Sequence, residues 1–222
     1  MENYKKTLII DLSGKAGAGK TYIKDKLIQY LSSEYRCIDF SNYILSVNDF
    51  TIFVVSKPLN FLYSIFFIFM FIPKGYKWLS ACLRWWIKMQ IMIMKSKTLN
   101  SDFVFIDEGI FRRISLLRMH SLRRIPFEKT PSIFRKNFLY PDITIFVTAN
   151  YDTCETRRME RDRGTGRFKQ PVDRKKGLVV IEDLKNDIAF AEKEGIVKVL
   201  QYHNEGEFKS SLATEVIALK KG

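Results

Sequence analysis

The chain is poor in the residues that build metal clusters and cross-linked frameworks. It has three cysteines, Cys37, Cys82 and Cys154, far apart and odd in number, and two histidines, His120 and His203. No CxxC pair occurs. A zinc site or a disulfide framework is therefore not expected, and a reducing, cytoplasmic setting is. A leader pattern is also missing. MENYKKTLIIDL has a basic start but only a very short apolar run before Asp11, which does not make a signal peptide. No internal repeat and no low-complexity tail is visible. Acidic residues are outnumbered, 24 against 37 Lys and Arg, for a net charge of +13. Such a surplus favours an anionic partner: nucleotide phosphates, nucleic acid or an acidic membrane face.

What is present is enough for a packed core. The 222 residues are 46% hydrophobic and 27% charged, which suits one α/β domain with a small insertion. Five apolar runs read as strands: 7–12, 36–40, 102–107, 142–148 and 196–201. Helical patterns lie at 20–33, 76–97, 110–124, 152–163, 178–194 and 207–220. Strands alternating with helices predict a parallel sheet covered on both faces.

The first strand runs into Gly14-Lys15-Ala16-Gly17-Ala18-Gly19-Lys20-Thr21, a complete Walker A pattern between a strand and a helix. The glycines let backbone N–H groups turn inward around a phosphate, and the helix N-terminus adds partial positive charge. Lys20 is placed to reach the β- and γ-phosphates, and the Thr21 hydroxyl to bind Mg²⁺. Lys15 either adds charge near the γ-phosphate or points to solvent. The motif predicts nucleotide binding and names no reaction.

A matching acid is expected at the end of another buried strand. Asp107 in FVFIDEG fits, beside Thr21 and the metal. Glu108 follows at the edge of the sheet where open α/β folds bind ligands. Both could instead cap the next helix. Asp39, after the second strand, could take a proton from an acceptor hydroxyl or cap the turn at Ser41-Asn42. Farther on, ETRRMERDRGTGRF packs Arg157, Arg158, Arg161, Arg163 and Arg167 into one helix end and loop. Arg157 and Arg161 share a helix face. Guanidinium groups bind phosphate in a bidentate way, so this stretch reads as a lid closing over the transferring group. The alternative is a solvated helix paired with Glu155, Glu160 and Asp162.

GKAGAGKT, FIDEG and PDITIFVTANYDTCETRRMERDRG together resemble the P-loop kinases of the nucleoside and nucleotide kinase group, with the thymidylate kinase and deoxynucleoside kinase branch most similar in layout. The resemblance covers roughly 7–35 and 100–200. It implies a three-layer P-loop fold with a five-stranded sheet in the order 2-3-1-4-5, and γ-phosphoryl transfer from ATP. It also implies one domain over 1–222, with an acceptor-side insertion at 41–99 and a lid at 155–176. Lys20, Asp107, Arg157, Arg161 and Arg163 would then serve catalysis, with Asp39 or Glu108 at the acceptor. The chain departs from the group after its third strand. Asp107-Glu108-Gly109 stands where thymidylate kinases have Asp-Arg-aromatic and deoxynucleoside kinases Glu-Arg-Ser, and Arg112 and Arg113 lie downstream.

The region where that group keeps its acceptor is oily here. LNFLYSIFFIFMFI, 59–72, carries no charge, and WLSACLRWWIKMQIMIM follows at 78–94. Fourteen residues fall short of the ~20 a spanning helix needs. An interfacial segment at an anionic membrane surface, with Trp78, Trp85 and Trp86 at headgroup level, competes with a core helix or a homodimer interface. RRISLLRMHSLRRIPF, 112–127, adds five arginines that would hold acceptor phosphates or anionic lipid. The expectation is an ATP- and Mg²⁺-dependent kinase of a small-molecule or lipid-linked acceptor, cytoplasmic and peripheral at the membrane. The alternative is a thymidylate-like kinase with the oily arm as a dimer interface. A GTPase switch is disfavoured because TANYD, 148–152, lacks the lysine of an NKxD motif. Nucleic-acid binding rests on charge alone.

Overall fold

A computed structural model describes residues 7–71, 76–107, 109–164 and 174–221, with the side chains of Tyr76 and Lys176 left aside. Glu108 and Arg167 thus lie outside the described residues, as does the part of the expected lid from 165 to 173.

The five apolar runs form strands β1 (Leu8–Gly14), β2 (Cys37–Asp39), β3 (Phe103–Asp107), β4 (Ile143–Thr148) and β5 (Lys198–His203). They make one sheet in the order β2-β3-β1-β4-β5, with every pairing parallel. Central β1 is buried along its whole length, which is why it reads as a continuous apolar run and not as an alternating one. Its side chains nonetheless divide by parity. Leu8, Ile10 and Leu12 pack under α1 (Lys20–Leu31) and α9 (Ser211–Lys221), on Ile23, Leu27, Leu212 and Val216. Ile9 belongs to the opposite core, built on α4 (Tyr76–Ser96), α5 (Ile110–Met119) and α8 (Arg174–Lys193) with Met89, Ile114 and Leu184. This is the three-layer α/β fold expected from the sequence.

Between β2 and β3 the described residues make three helices. α2 (Val47–Ser56) was not anticipated as a separate element. A reciprocal capping box starts it: the Asp49 amide donates to Ser46 Oγ at 3.1 Å and the Ser46 amide to Asp49 Oδ2 at 3.2 Å. It stops at Lys57, whose following proline disfavours helical geometry, and Pro58 opens α3 (Pro58–Phe71) at a bend of 102°. α3 lies on α4, with Phe67 tilted against Trp86 at 4.7 Å between ring centroids. α5 ends at Met119, short of the expected 124, because the His120 amide already closes on Leu116 O and Leu117 O and the Arg123 amide turns to Phe71 O at 3.3 Å. A short helix α6 (Ser132–Asn137) and helix α7 (Tyr151–Gly164) flank β4.

Candidate nucleotide site

The loop between β1 and α1 sits at the C-terminal edge of the sheet. Gly17 and Gly19 hold φ of +87° and +89°, where other residues are strained. A Cβ at Gly17 would also overlap the carbonyl of Cys154 on α7, and one at Gly19 would overlap Asn204. The Lys20 ammonium, buried, donates to Gly14 O and Lys15 O at 3.1 Å each and keeps the loop concave. Thr21 Oγ1 donates to Asp107 Oδ2 at 2.9 Å, which brings together the hydroxyl and the acid read from separate motifs. Asp107 Oδ1 is buried and has no hydrogen-bond partner among the described residues. One hydroxyl and one orphaned carboxylate oxygen are a donor pair suited to Mg²⁺, a hard cation that keeps most of its remaining ligands as water and phosphate.

Lys15 does not point to solvent. Its ammonium pairs with Glu155 on α7 at 2.5 Å and stands 3.4 Å from the centre of the Tyr151 ring. Burial alone would raise the Glu155 carboxyl, but Lys15 and Arg158 outweigh it and hold the pKa below the ordinary range. Arg158 passes the charge on to Asp162 at 3.2 Å, so the loop is tied to one face of α7.

The other arginines spread apart. Arg157 points to the loop, with Nη1 3.7 Å from where a Gly19 Cβ would stand. Arg161 is largely exposed beside Asp162, and Arg163 is exposed at the helix end. Arg112 and Arg113 occupy the first turn of α5, half-buried, and the Arg113 guanidinium lies 5.6 Å from the Trp85 ring. Asp39 accepts from Lys24 Nζ at 2.6 Å and from the Ser41 amide at 2.9 Å. Burial would raise its pKa, yet those bonds lower it, so the carboxylate is held ionised and already engaged. The geometry matches the turn cap weighed for it. Glu108 lies outside the described residues.

Three residues of this neighbourhood have roles that the sequence reading did not assign. Asn204, just after β5, donates from Nδ2 to Ala18 O at 2.8 Å and props the loop from behind. Glu155 stood among the expected salt-bridge partners of a helix, not as an anchor for Lys15. Asp11 is fully buried in β1, three residues before the strand ends at Gly14. Burial pushes its pKa up to about 7, with Asp107 adding to the rise and Ser13, the Gly109 amide and Lys20 opposing it. A charged residue inside an apolar strand run was the available signal.

No family model matches the chain, and no curated protein matches it in sequence. Its fold does match solved structures. A thymidylate kinase from Ehrlichia chaffeensis superposes with a TM-score of 0.50 at 14% identity, over 98% of this chain and 100% of that one. A thymidylate kinase from Candida albicans does so with a TM-score of 0.50 at 13% identity, over 97% and 92%. A deoxyadenosine kinase from M. mycoides reaches a TM-score of 0.46 at 16% identity, over 96% and 98%. At these identities the likeness is one of fold.

Proposed function

We propose that this chain is an ATP-dependent phosphotransferase acting on a nucleoside or nucleotide acceptor. The observation that carries the reading is the 2.9 Å bond between Thr21 and Asp107 beside a loop closed by Lys20. A chance glycine turn has no reason to place an orphaned acidic oxygen next to the hydroxyl of its own motif. When bound, Mg-ATP supplies the transferable phosphoryl group. Thr21 and Asp107 would hold the metal. The amides from Lys15 to Thr21 would hold the phosphates, with Lys20 leaving its carbonyl partners for them. Arg157 is the arginine best placed to reach the same phosphates, and Arg161 and Arg163 would join it only with the lid. Arg112 and Arg113 would face the acceptor.

The length of the fold match supports a nucleoside or nucleotide acceptor. The likeness to the Ehrlichia enzyme runs over 98% of the chain. The helices of 41–99 therefore fall largely within the matched span. That supports the thymidylate-like alternative over a lipid-linked acceptor. With Asp39 engaged by Lys24, Glu108 is the better candidate to orient the acceptor.

ATP turnover against a panel of nucleosides and nucleoside monophosphates, read by product mass, tests the reading. Lys20→Ala should lower turnover at least ~100-fold without loss of fold, the scale of removing one aligned donor from a developing charge. Unchanged turnover in that variant, or no acceptor-dependent product in the whole panel, would sink it.

A further inference from the structure

Helix α3 is built the wrong way round for water. Its two small polar side chains are inside: Asn60 and Ser64 are buried, Ser64 Oγ accepting from Trp86 Nε1 at 3.1 Å and Asn60 Nδ2 donating to Asn137 O at 2.5 Å. Its outer face is Leu59, Leu62, Phe66 and Phe69, exposed by 59, 48, 59 and 54%. These four fall along one stripe at spacings of three and four residues. Together they leave roughly 400 Å² of apolar surface, within the size range in which the largest patch of a monomer is often functional. α2 adds exposed Ile52 and Val55 just before the bend.

The charge around this stripe has one sign. Between Phe50 and Ser101 the chain has seven Lys and Arg and no Asp or Glu. Lys57 stands exposed at the N-terminal end of α3. At its other end the Arg123 amide is bonded to Phe71 O, which brings exposed Leu122, Arg123 and Arg124 to that point.

We propose that the outer face of α3 is a docking surface for an anionic membrane interface, with the four apolar side chains in the headgroup boundary and the flanking cations on lipid phosphates. The charge pattern favours an anionic surface over a second copy of the chain. A two-fold pairing of α3 with itself sets Lys57 against Arg123 and Arg124 when the helices run antiparallel. It sets Lys57 against Lys57 when they run parallel. Like charges then meet at both ends, with no acid on this segment to answer them. Among the described residues no single helix is long and apolar enough to cross a membrane, and α2 and α3 reach that length only together across their 102° bend, so the contact proposed is one of lying on the surface. The surface is separate from the phosphate loop, and the proposal stands whether or not the acceptor is a nucleotide.

The test is flotation of the full chain with vesicles of phosphatidylcholine alone and with about 30% phosphatidylglycerol. Binding to the anionic vesicles is expected, falling as salt is raised. Phe66→Ser with Phe69→Ser should cut the bound fraction at least ~10-fold. Arg123→Gln with Arg124→Gln should weaken it and flatten its salt dependence. Both pairs are exposed, so each variant should keep the wild-type circular dichroism, and the Phe66 and Phe69 changes should keep the wild-type ATP turnover. Lys20→Ala should lose turnover and float as before, which separates failure of this proposal from failure of the kinase reading. No flotation on anionic vesicles would overturn the proposal. So would a concentration-dependent dimer in sedimentation that the Phe66 and Phe69 changes abolish.

Discussion

Asp11 shares a face of β1 with Ile9, yet it carries a carboxyl where its neighbour carries a hydrocarbon. With burial pushing its pKa up to about 7, the folded chain keeps a proton that the unfolded chain releases above about 4. Between those values the folded state binds more protons. Stability from this group is therefore full below about pH 4, falls as pH rises, and is lost above about 7. Asn in its place has no charge to desolvate. In Mg²⁺-free buffer, the unfolding free energy of Asp11→Asn relative to wild type should rise by roughly 1–3 kcal/mol between pH 5 and pH 8, read from urea curves. A difference that stays flat with pH would mean that Asp11 is not the titrating group. The same carboxyl explains Gly109, where an added Cβ would overlap it. Gly109→Ala should cost about 1–3 kcal/mol by overpacking, and Asp11→Ala in the same chain should recover part of that loss.

At the scale of elements, α5 presents Arg112 and Arg113 at one end and is fastened at the other. Arg118, buried, makes two bonds to Asp187 on α8 at 2.8 and 2.6 Å, and the Phe127 amide donates to the same carboxylate at 3.2 Å. Burial raises the Asp187 pKa in spite of Arg118, so the pair is held by its geometry at the expense of solvation. Asp187→Ala would leave the guanidinium buried with, among the described residues, the partly exposed Asp183 at 3.3 Å as its acidic partner. A loss of about 3–5 kcal/mol in urea unfolding is expected, and a loss under 1 would show that the pair is dispensable. This clamp was not legible in the sequence, because Arg118 and Asp187 lie 69 residues apart and each reads as one charge on an amphipathic helix. The strands were legible, since a buried parallel sheet leaves continuous apolar runs. α2 and α6 were not, because one merges into an oily stretch and the other is a six-residue turn of helix. In the site, the glycines and Lys20 were legible from spacing alone. The Lys15–Glu155 tie was not, since it depends on how α7 lies over the loop.

For the whole molecule, the phosphate loop is tied to the sheet and to the helix beside it. Gly14 ends β1, Gly17 rests on α7, and Ala18 is held by Asn204 after β5. A ligand that fixes the loop therefore fixes strands at the centre of the fold, and its binding should be read in global unfolding. A nucleotide present at ~100 times its Kd and binding only the folded state adds about 2.7 kcal/mol. For a chain of this length each kcal/mol moves the melting temperature by about 2–4 °C. Mg-ATP should then raise Tm by roughly 5–11 °C. Lys20→Ala should remove most of that rise. Asn204→Ala should reduce it in part, because the loop loses its rear support but keeps its cation. ATP without Mg²⁺ should give a smaller shift than Mg-ATP, since Asp107 then faces the phosphates with no cation between them. Equal shifts with and without Mg²⁺ would remove Thr21 and Asp107 from the metal site, whatever the turnover assays return.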